Sequence, residues 1–289
     1  MDREDVDLES VDREQALIDS LSRGRAFDHP TRDVRVLDTH ISWVVLTGDF
    51  AYKIKKPIKL AFLDYSTLEK RRHFCELELQ LNRRWAPELY LDVVPICGSF
   101  ESPVVGGSGT PIEYALKMRQ FPQDAQLDAV LAAGQLADTD MFRLAETIAT
   151  IHASIPVCDA SSGDAFFVSI RQAMLDNFDF LEDVGDTGIV GKLESWTRRS
   201  LDECRDAMSR RYESGSVREC HGDLHLKNLV RLSSGIVPYD CVEFSVELRS
   251  IDVISDISFL FMDLLSRDEP RLAWSFINRY LECSGDYDG

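Results

Sequence analysis

One octapeptide constrains this chain more than any other: His221-Gly222-Asp223-Leu224-His225-Leu226-Lys227-Asn228. It fits the spaced pattern His-x-Asp-Leu-x-x-x-Asn, in which a carboxylate and a carboxamide five residues apart leave one irregular loop together. Phosphoryl transfer needs that pair, an acidic group to accept the proton of an attacking hydroxyl and an oxygen ligand for magnesium, with the protein supplying geometry and charge. Asp223 takes the first role and Asn228 the second.

A second metal ligand has to come from nearby. Residues 229–232 and 236–239 flank Ser233-Ser234-Gly235 as two short strands. A hairpin pairing 232 with 236 pairs 229 with 239 and sets Asp240 opposite Asn228. Two hard oxygen ligands on adjacent strand ends suit Mg2+. Pro238 cannot donate to a ladder, which places its strand at an edge. The cation for the phosphates is expected upstream. Phe50-Ala51-Tyr52-Lys53 fits the kinase strand Val-Ala-Ile-Lys, and alternation puts Ala51 and Lys53 on one face. Lys55 points the same way and is the rival. A glutamate on the following helix should hold the lysine; Cys75, Glu78, Leu79 and Asn82 share a helical face, so Glu78 is chosen over Glu76. Lys56 and Lys59 read as solvated.

The surrounding texture is α+β. Residues 13–23 carry helical spacing and stop at Gly24. Strand-like runs follow at 34–37, 41–46 and 50–55, then a capping box at Ser66-Thr67-Leu68-Glu69, a helix at 67–84, and strands at 91–97 and 111–118. This describes a small antiparallel sheet with one helix packed on it. Beyond Gln120-Phe121-Pro122 the pattern is helical: 141–155, 170–183, 189–212, 253–266 and 270–283, broken between 219 and 244. The predicted division is a flexible tail at 1–14, an N-terminal lobe at 15–119 with nucleotide-binding sheet and helix, and a helical lobe at 120–289.

Acidic residues outnumber basic ones 50 to 32, a formal net charge of −18. That argues against a nucleic-acid or anionic-membrane surface and leaves room for a cationic substrate. The charged N-terminus and the lack of a long apolar run predict a cytoplasmic chain. Seven cysteines without a Cys-x-x-Cys spacing predict reduced, mostly buried thiols. Cys220, Cys241, His221 and His225 match no standard closed zinc site. His221 reads as a structural donor shaping the loop, with His225 supporting it, and His152 as a packing histidine on its helix. Gly188-Ile189-Val190-Gly191-Lys192-Leu193 lacks the first glycine and the Ser or Thr of a phosphate-binding loop and is rejected.

His-Gly-Asp-x-His-x-x-Asn, together with Thr39-His40-Ile41-Ser42-Trp43-Val44, the stretch from Ala51 to Pro57, Glu69-Lys70-Arg71-Arg72-His73-Phe74-Cys75, the stretch from Leu89 to Pro95 and Met118-Arg119-Gln120-Phe121-Pro122, resembles the aminoglycoside phosphotransferase-like family. The likeness runs from about residue 15 onward, to a bacterial subfamily often fused to a P-loop ATP-binding domain, of which this chain resembles the kinase-like part. The resemblance implies a bilobal protein-kinase-like fold with a mainly helical C-lobe. It implies ATP under the small sheet near the linker residues Arg119 and Phe121, and Mg2+ on Asn228 and Asp240. It also implies Asp252 and Asp256 as braces of the active site, although helix capping is an equally good reading of both. The implied function is ATP-dependent phosphorylation of a hydroxyl on a small molecule. A nucleotide-binding regulatory module and a Ser/Thr protein kinase-like activity are the alternatives. The chain departs from the protein-kinase pattern in lacking Gly-x-Gly-x-x-Gly, which leaves residues 40–42 or the 47–49 turn to cover the nucleotide. It also has Cys241-Val242-Glu243 after Asp240 where Phe-Gly is usual. Many relatives carry glycine at the position of Lys227. The chain reads as a shortened version of the subfamily, without its further helices.

Overall fold

In the computed structural model, residues 8–60, 62–158, 162–181 and 186–289 are described. Alternation along the N-terminal strands, interrupted by irregularities in the sixth, sorts their side chains onto two faces. Strands β1 (Arg35–Asp38), β2 (Ser42–Leu46) and β3 (Phe50–Lys55) follow helix α1 (Leu8–Ser22). A small hairpin, β4 (Lys59–Leu60) and β5 (Leu63–Asp64), leads to helix α2 (Leu68–Asn82), then to β6 (Tyr90–Gly98), β7 (Pro103–Val105) and β8 (Pro111–Arg119). The main sheet is antiparallel in the order β1-β2-β3-β8-β6-β7.

Val45, Tyr52, Ile54, Ile96 and Ala115 point to one face and pack beneath Leu17, Ile18 and Leu21 of α1. Ala51, Leu116 and Met118 point to the other, with Leu79 of α2. The sheet therefore carries a helix on each face, where the sequence patterning predicts one. Each fully buried leucine or isoleucine here contributes about 1.5–3 kcal/mol. The predicted cap of α2 also shifts by one residue. Thr67 is the N-cap, accepting from the Lys70 N–H at 3.3 Å, while Ser66 Oγ donates to Asp64 Oδ1.

The C-terminal lobe contains α3 (Leu127–Ala132), α4 (Asp138–Ser154), α5 (Gly163–Leu181), α6 (Thr187–Glu213), β9 (Val217–Glu219), β10 (Leu229–Leu232), β11 (Gly235–Pro238), α7 (Val246–Arg249), β12 (Ser250–Asp252), α8 (Val253–Ser266) and α9 (Pro270–Ser284). The stripe Met141, Leu144, Ala145, Ile148 of α4 packs against Ile257, Leu260 and Leu264 of α8 and Leu272, Ala273 and Phe276 of α9. Strand β9 pairs with β12, so the chain entering the octapeptide is tied to the start of α8.

The β10–β11 hairpin corrects the predicted register. Leu232 pairs with Gly235, not residue 236, and Leu229 with Pro238. Asn228 therefore faces Tyr239, whose N–H donates to the Asn228 carbonyl at 2.9 Å, and Asp240 lies one residue beyond the ladder. A one-residue slip reverses which face a strand residue presents. Asp240 leaves the strand with φ +62°, which re-aims its side chain. Among the described residues no helix is long and apolar enough to cross a membrane.

Candidate active site

The octapeptide is shaped from behind by one buried carboxylate. Asp256, near the start of α8, accepts from the Gly222 N–H at 2.8 Å and the His221 N–H at 3.3 Å, and pairs with His152 Nε2 at 3.1 Å. Burial opposes its charge, but the His152 contact and the Gly222 N–H outweigh that and hold the carboxyl below its usual range. His152 Nδ1 lies 2.8 Å from the Tyr280 hydroxyl, so this packing histidine links α4 and α9 to the loop. Gly222 sits at φ +82°, and a Cβ there would stand 2.8 Å from the Leu248 carbonyl, so a side chain is excluded on both counts.

His221 is fully buried, and burial pushes its pKa down, which keeps it neutral. Its Nε2 donates to the Tyr239 carbonyl at 3.0 Å and its Nδ1 accepts from the Asp223 N–H at 3.4 Å. It thus joins the loop to the strand leading to Asp240, the structural role expected of it. Leu226 N–H is held by Asp263 Oδ2 at 2.9 Å.

Asp223 carries its carboxylate into the cleft. Asn228 Nδ2 donates to its Oδ2 at 2.9 Å and to its carbonyl at 3.0 Å, which leaves the amide oxygen of Asn228 as its hard donor atom. His225 Nε2 lies 3.3 Å from the same Oδ2. Burial works against the Asp223 charge, yet the His225 and Asn228 bonds win and lower its pKa. The Asp223 contact in turn raises that of His225.

The second half of the site is a ladder of alternating charges. Lys53 Nζ lies 2.5 Å from Asp240 Oδ1 and 2.7 Å from Glu78 Oε1. Glu78 Oε2 lies 2.7 Å from Lys55 Nζ, and Lys55 pairs with Glu243. Burial penalises the Lys53 charge, but Asp240, Glu78 and Glu243 more than compensate and hold it protonated. Segment 240–242 is pinned through its backbone. Asp240 N–H donates to the Tyr90 hydroxyl, Cys241 N–H to Asn82 Oδ1 and Val242 N–H to the His221 carbonyl, at 2.9, 3.0 and 3.0 Å.

A cavity of about 460 Å³ joins these groups: Asp223, Asp240, Lys53, Arg119 and Phe121 all line it, with Ala51, Leu46 and Met118 forming an apolar wall. Residues 40 and 41 line it too, whereas Gly48 and Asp49 lie in a separate surface depression and Gly48 N–H bonds the Gln120 side chain. Of the two stretches expected to cover a nucleotide, the 40–41 segment is the one that borders this cleft. Glu78 is the glutamate that meets Lys53; Glu76 pairs with Arg72 on the surface. Of the two readings offered for Asp252, its contacts are those of a helix cap: it accepts from the Ile254 N–H and forms a two-point pair with Arg211. One expectation needs correcting: Lys56 is not solvated but pairs with Asp38 against the Trp43 ring.

Sequence patterning missed Glu243, Asn82 and Tyr90. Asn82 lies on the Glu78 face of α2, a signal that was present; Glu243 follows Asp240 in an irregular stretch and had none. All seven cysteines are free thiols. Among the described residues, His152, Cys220 and Asp256 are the one group of three possible metal donors, with ligand atoms within 4.8 Å of one another. The His152 and Asp256 atoms there are already hydrogen-bonded.

No protein family's sequence model matches the chain. It is 31% identical over 265 residues to uncharacterized proteins of Mycobacterium tuberculosis and Mycobacterium bovis, covering 90% of this chain and 51% of theirs. The chain thus spans about half the length of the curated relatives it matches. Its structure is similar to that of a choline kinase from Cryptosporidium parvum, with 12% identity, a TM-score of 0.53, and coverage of 97% of this chain and 80% of that one. The architecture is the bilobal protein-kinase-like fold, antiparallel sheet in one lobe and helices in the other.

Proposed function

We propose that the chain is a small-molecule kinase of the aminoglycoside phosphotransferase-like kind, transferring the γ-phosphoryl group of ATP to a hydroxyl. The observation that carries this reading is the convergence of Asp223, Asp240 and Lys53 on one cavity, with Glu78 behind the lysine. A carboxylate held ionised, two hard oxygen donors and a largely buried, charged lysine are the parts that phosphoryl transfer uses. The donor set fits magnesium, which takes one or two carboxylates and completes its shell with phosphate oxygens and water.

Asp223 orients the acceptor hydroxyl and accepts its proton as the oxygen attacks. Asn228 fixes the Asp223 carboxylate through Nδ2 and offers its amide oxygen to the metal, with Asp240 as the second ligand. Bound magnesium would neutralise charge developing on the β and γ oxygens. Lys53 exchanges its contact with Asp240 for the nucleotide's α and β phosphates while Glu78 keeps it in place. The apolar wall of Leu46, Ala51 and Met118, beside the linker residues Arg119 and Phe121, receives the base.

The acceptor is open among alcohols, and the test is a screen. ADP release with Mg2+ and ATP is measured across aminoglycosides, amino alcohols, sugars and nucleosides, with Asp223→Asn as the blank. Acceptor-dependent release above the blank supports the reading; equal release in both proteins across every class contradicts it.

A further inference from the structure

Lys55 is a full positive charge with no exposed surface, two residues from the lysine assigned to the phosphates. Burying an ion costs several kcal/mol before its partners are counted, and an apolar side chain of similar size is often cheaper. Its contacts indicate what an apolar residue could not do. Glu78 gives one carboxylate oxygen to each lysine, both at 2.7 Å. Lys55 therefore takes up half of the charge that would otherwise draw Lys53 back from the cleft. Lys55 also holds Glu243, three residues past Asp240, and the Tyr65 hydroxyl donates to the same Glu243 oxygen at 2.5 Å. The Lys55 ammonium stands 4.8 Å from the centre of the Tyr65 ring.

These contacts close a ring. β3 joins Lys53 to Lys55, an ion pair joins Lys55 to Glu243, the chain joins Glu243 to Asp240, and a second ion pair returns to Lys53. We propose that Lys55, with Glu243, is a positioning residue: it sets the separation of Lys53 and Asp240 and so the fit of the site to a metal-bound nucleotide. The proposal rests on the kinase reading above and adds to it a pair outside the cleft chemistry. Charged side chains that hold ligating or phosphate-binding groups from behind govern affinity without touching the ligand.

The test separates stability from binding. The single variant Lys55→Met leaves Glu243 buried without its cation and is expected to unfold at lower temperature. The double variant Lys55→Met/Glu243→Gln removes the charges together and recovers most of that loss. MgATP affinity is measured by calorimetry on wild type, Lys53→Met and the double variant, with thermal midpoints alongside. The expected result is that the double variant, folded and thermally close to wild type, binds MgATP about tenfold or more weakly, in the direction of Lys53→Met. A double variant with wild-type MgATP affinity, beside a weakened Lys53→Met, overturns the positioning role alone. Absence of MgATP binding by wild type, or a Lys53→Met protein that binds as wild type does, overturns the kinase reading and this inference with it.

Discussion

Lys53 Nζ and Asp240 Oδ1 stand 2.5 Å apart, joined across 187 residues and across the two lobes. The contact holds the cleft's cation and a hard anion against each other, so under the proposed function each would exchange this partner for a group of the metal-bound nucleotide.

Asp240→Ala removes the carboxylate assigned to the metal while leaving Lys53 on Glu78. MgATP affinity is expected to fall by about 10–100-fold, the usual range when a ligating or supporting group of a metal site is lost. Calorimetric titration checks it, and unchanged affinity argues against Asp240 as a ligand.

Glu78 and Glu76 lie two residues apart on α2 and should respond oppositely. Glu78→Ala strips a shared partner from two buried or nearly buried lysines and is expected to cost about 3–5 kcal/mol. Glu76→Ala breaks an exposed pair with Arg72 and should stay within about 0.5 kcal/mol. Denaturant titration of the two variants gives the comparison.

How far these contacts were legible from sequence depends on their range. The faces that carry Lys53 and Glu78 follow from regular periods, two along a strand and 3.6 around a helix; the strand period leaves Lys53 and Lys55 together on one face, and both meet Glu78. The Asn228–Asp240 relation failed by one residue because the turn is tighter than its Ser-Ser-Gly suggested: Leu232 closes on Gly235. Asp252 and Asp256 look alike in sequence. Their roles separate only because Asp252 precedes the first turn of α8 and caps it, while Asp256 sits inside the helix on its buried face. Glu243 and Tyr90 act through partners far away in the chain, which no local pattern announces; for Asn82 the helical period marks the face it shares with Glu78 but not its partner, the Cys241 N–H.

The Asp223–His225 pair predicts a pH dependence. The pKa of His225 is raised in the folded protein, so its contribution is complete below 6.5 and is lost as pH rises through the folded value above that. The pKa of Asp223 is lowered, so its contribution is present above 3.8 and is lost as pH falls through the folded value below that. The thermal midpoint of wild type should exceed that of His225→Gln most clearly between pH 3.8 and 6.5, with the gap closing on the alkaline side. Turnover should rise over that closing interval, as deprotonated His225 releases Asp223, and His225→Gln should lack this limb.

Gly222→Ala places a Cβ at φ +82° and against the Leu248 carbonyl, next to Asp223. A loss of about 1–3 kcal/mol is expected from the backbone conformation alone, with a fall in turnover because the loop must shift. Thermal unfolding and rate measurements together check it; a stable, fully active variant would mean that the loop tolerates displacement.

In the proposed function Asp223 is the group that accepts the proton of the attacking hydroxyl. The direct measurement is acceptor-dependent ADP release by wild type and Asp223→Asn at matched MgATP occupancy. Asp223→Asn is expected to bind MgATP within a few fold of wild type and to turn over about 10²–10⁴-fold more slowly. Equal turnover in the two proteins would contradict it.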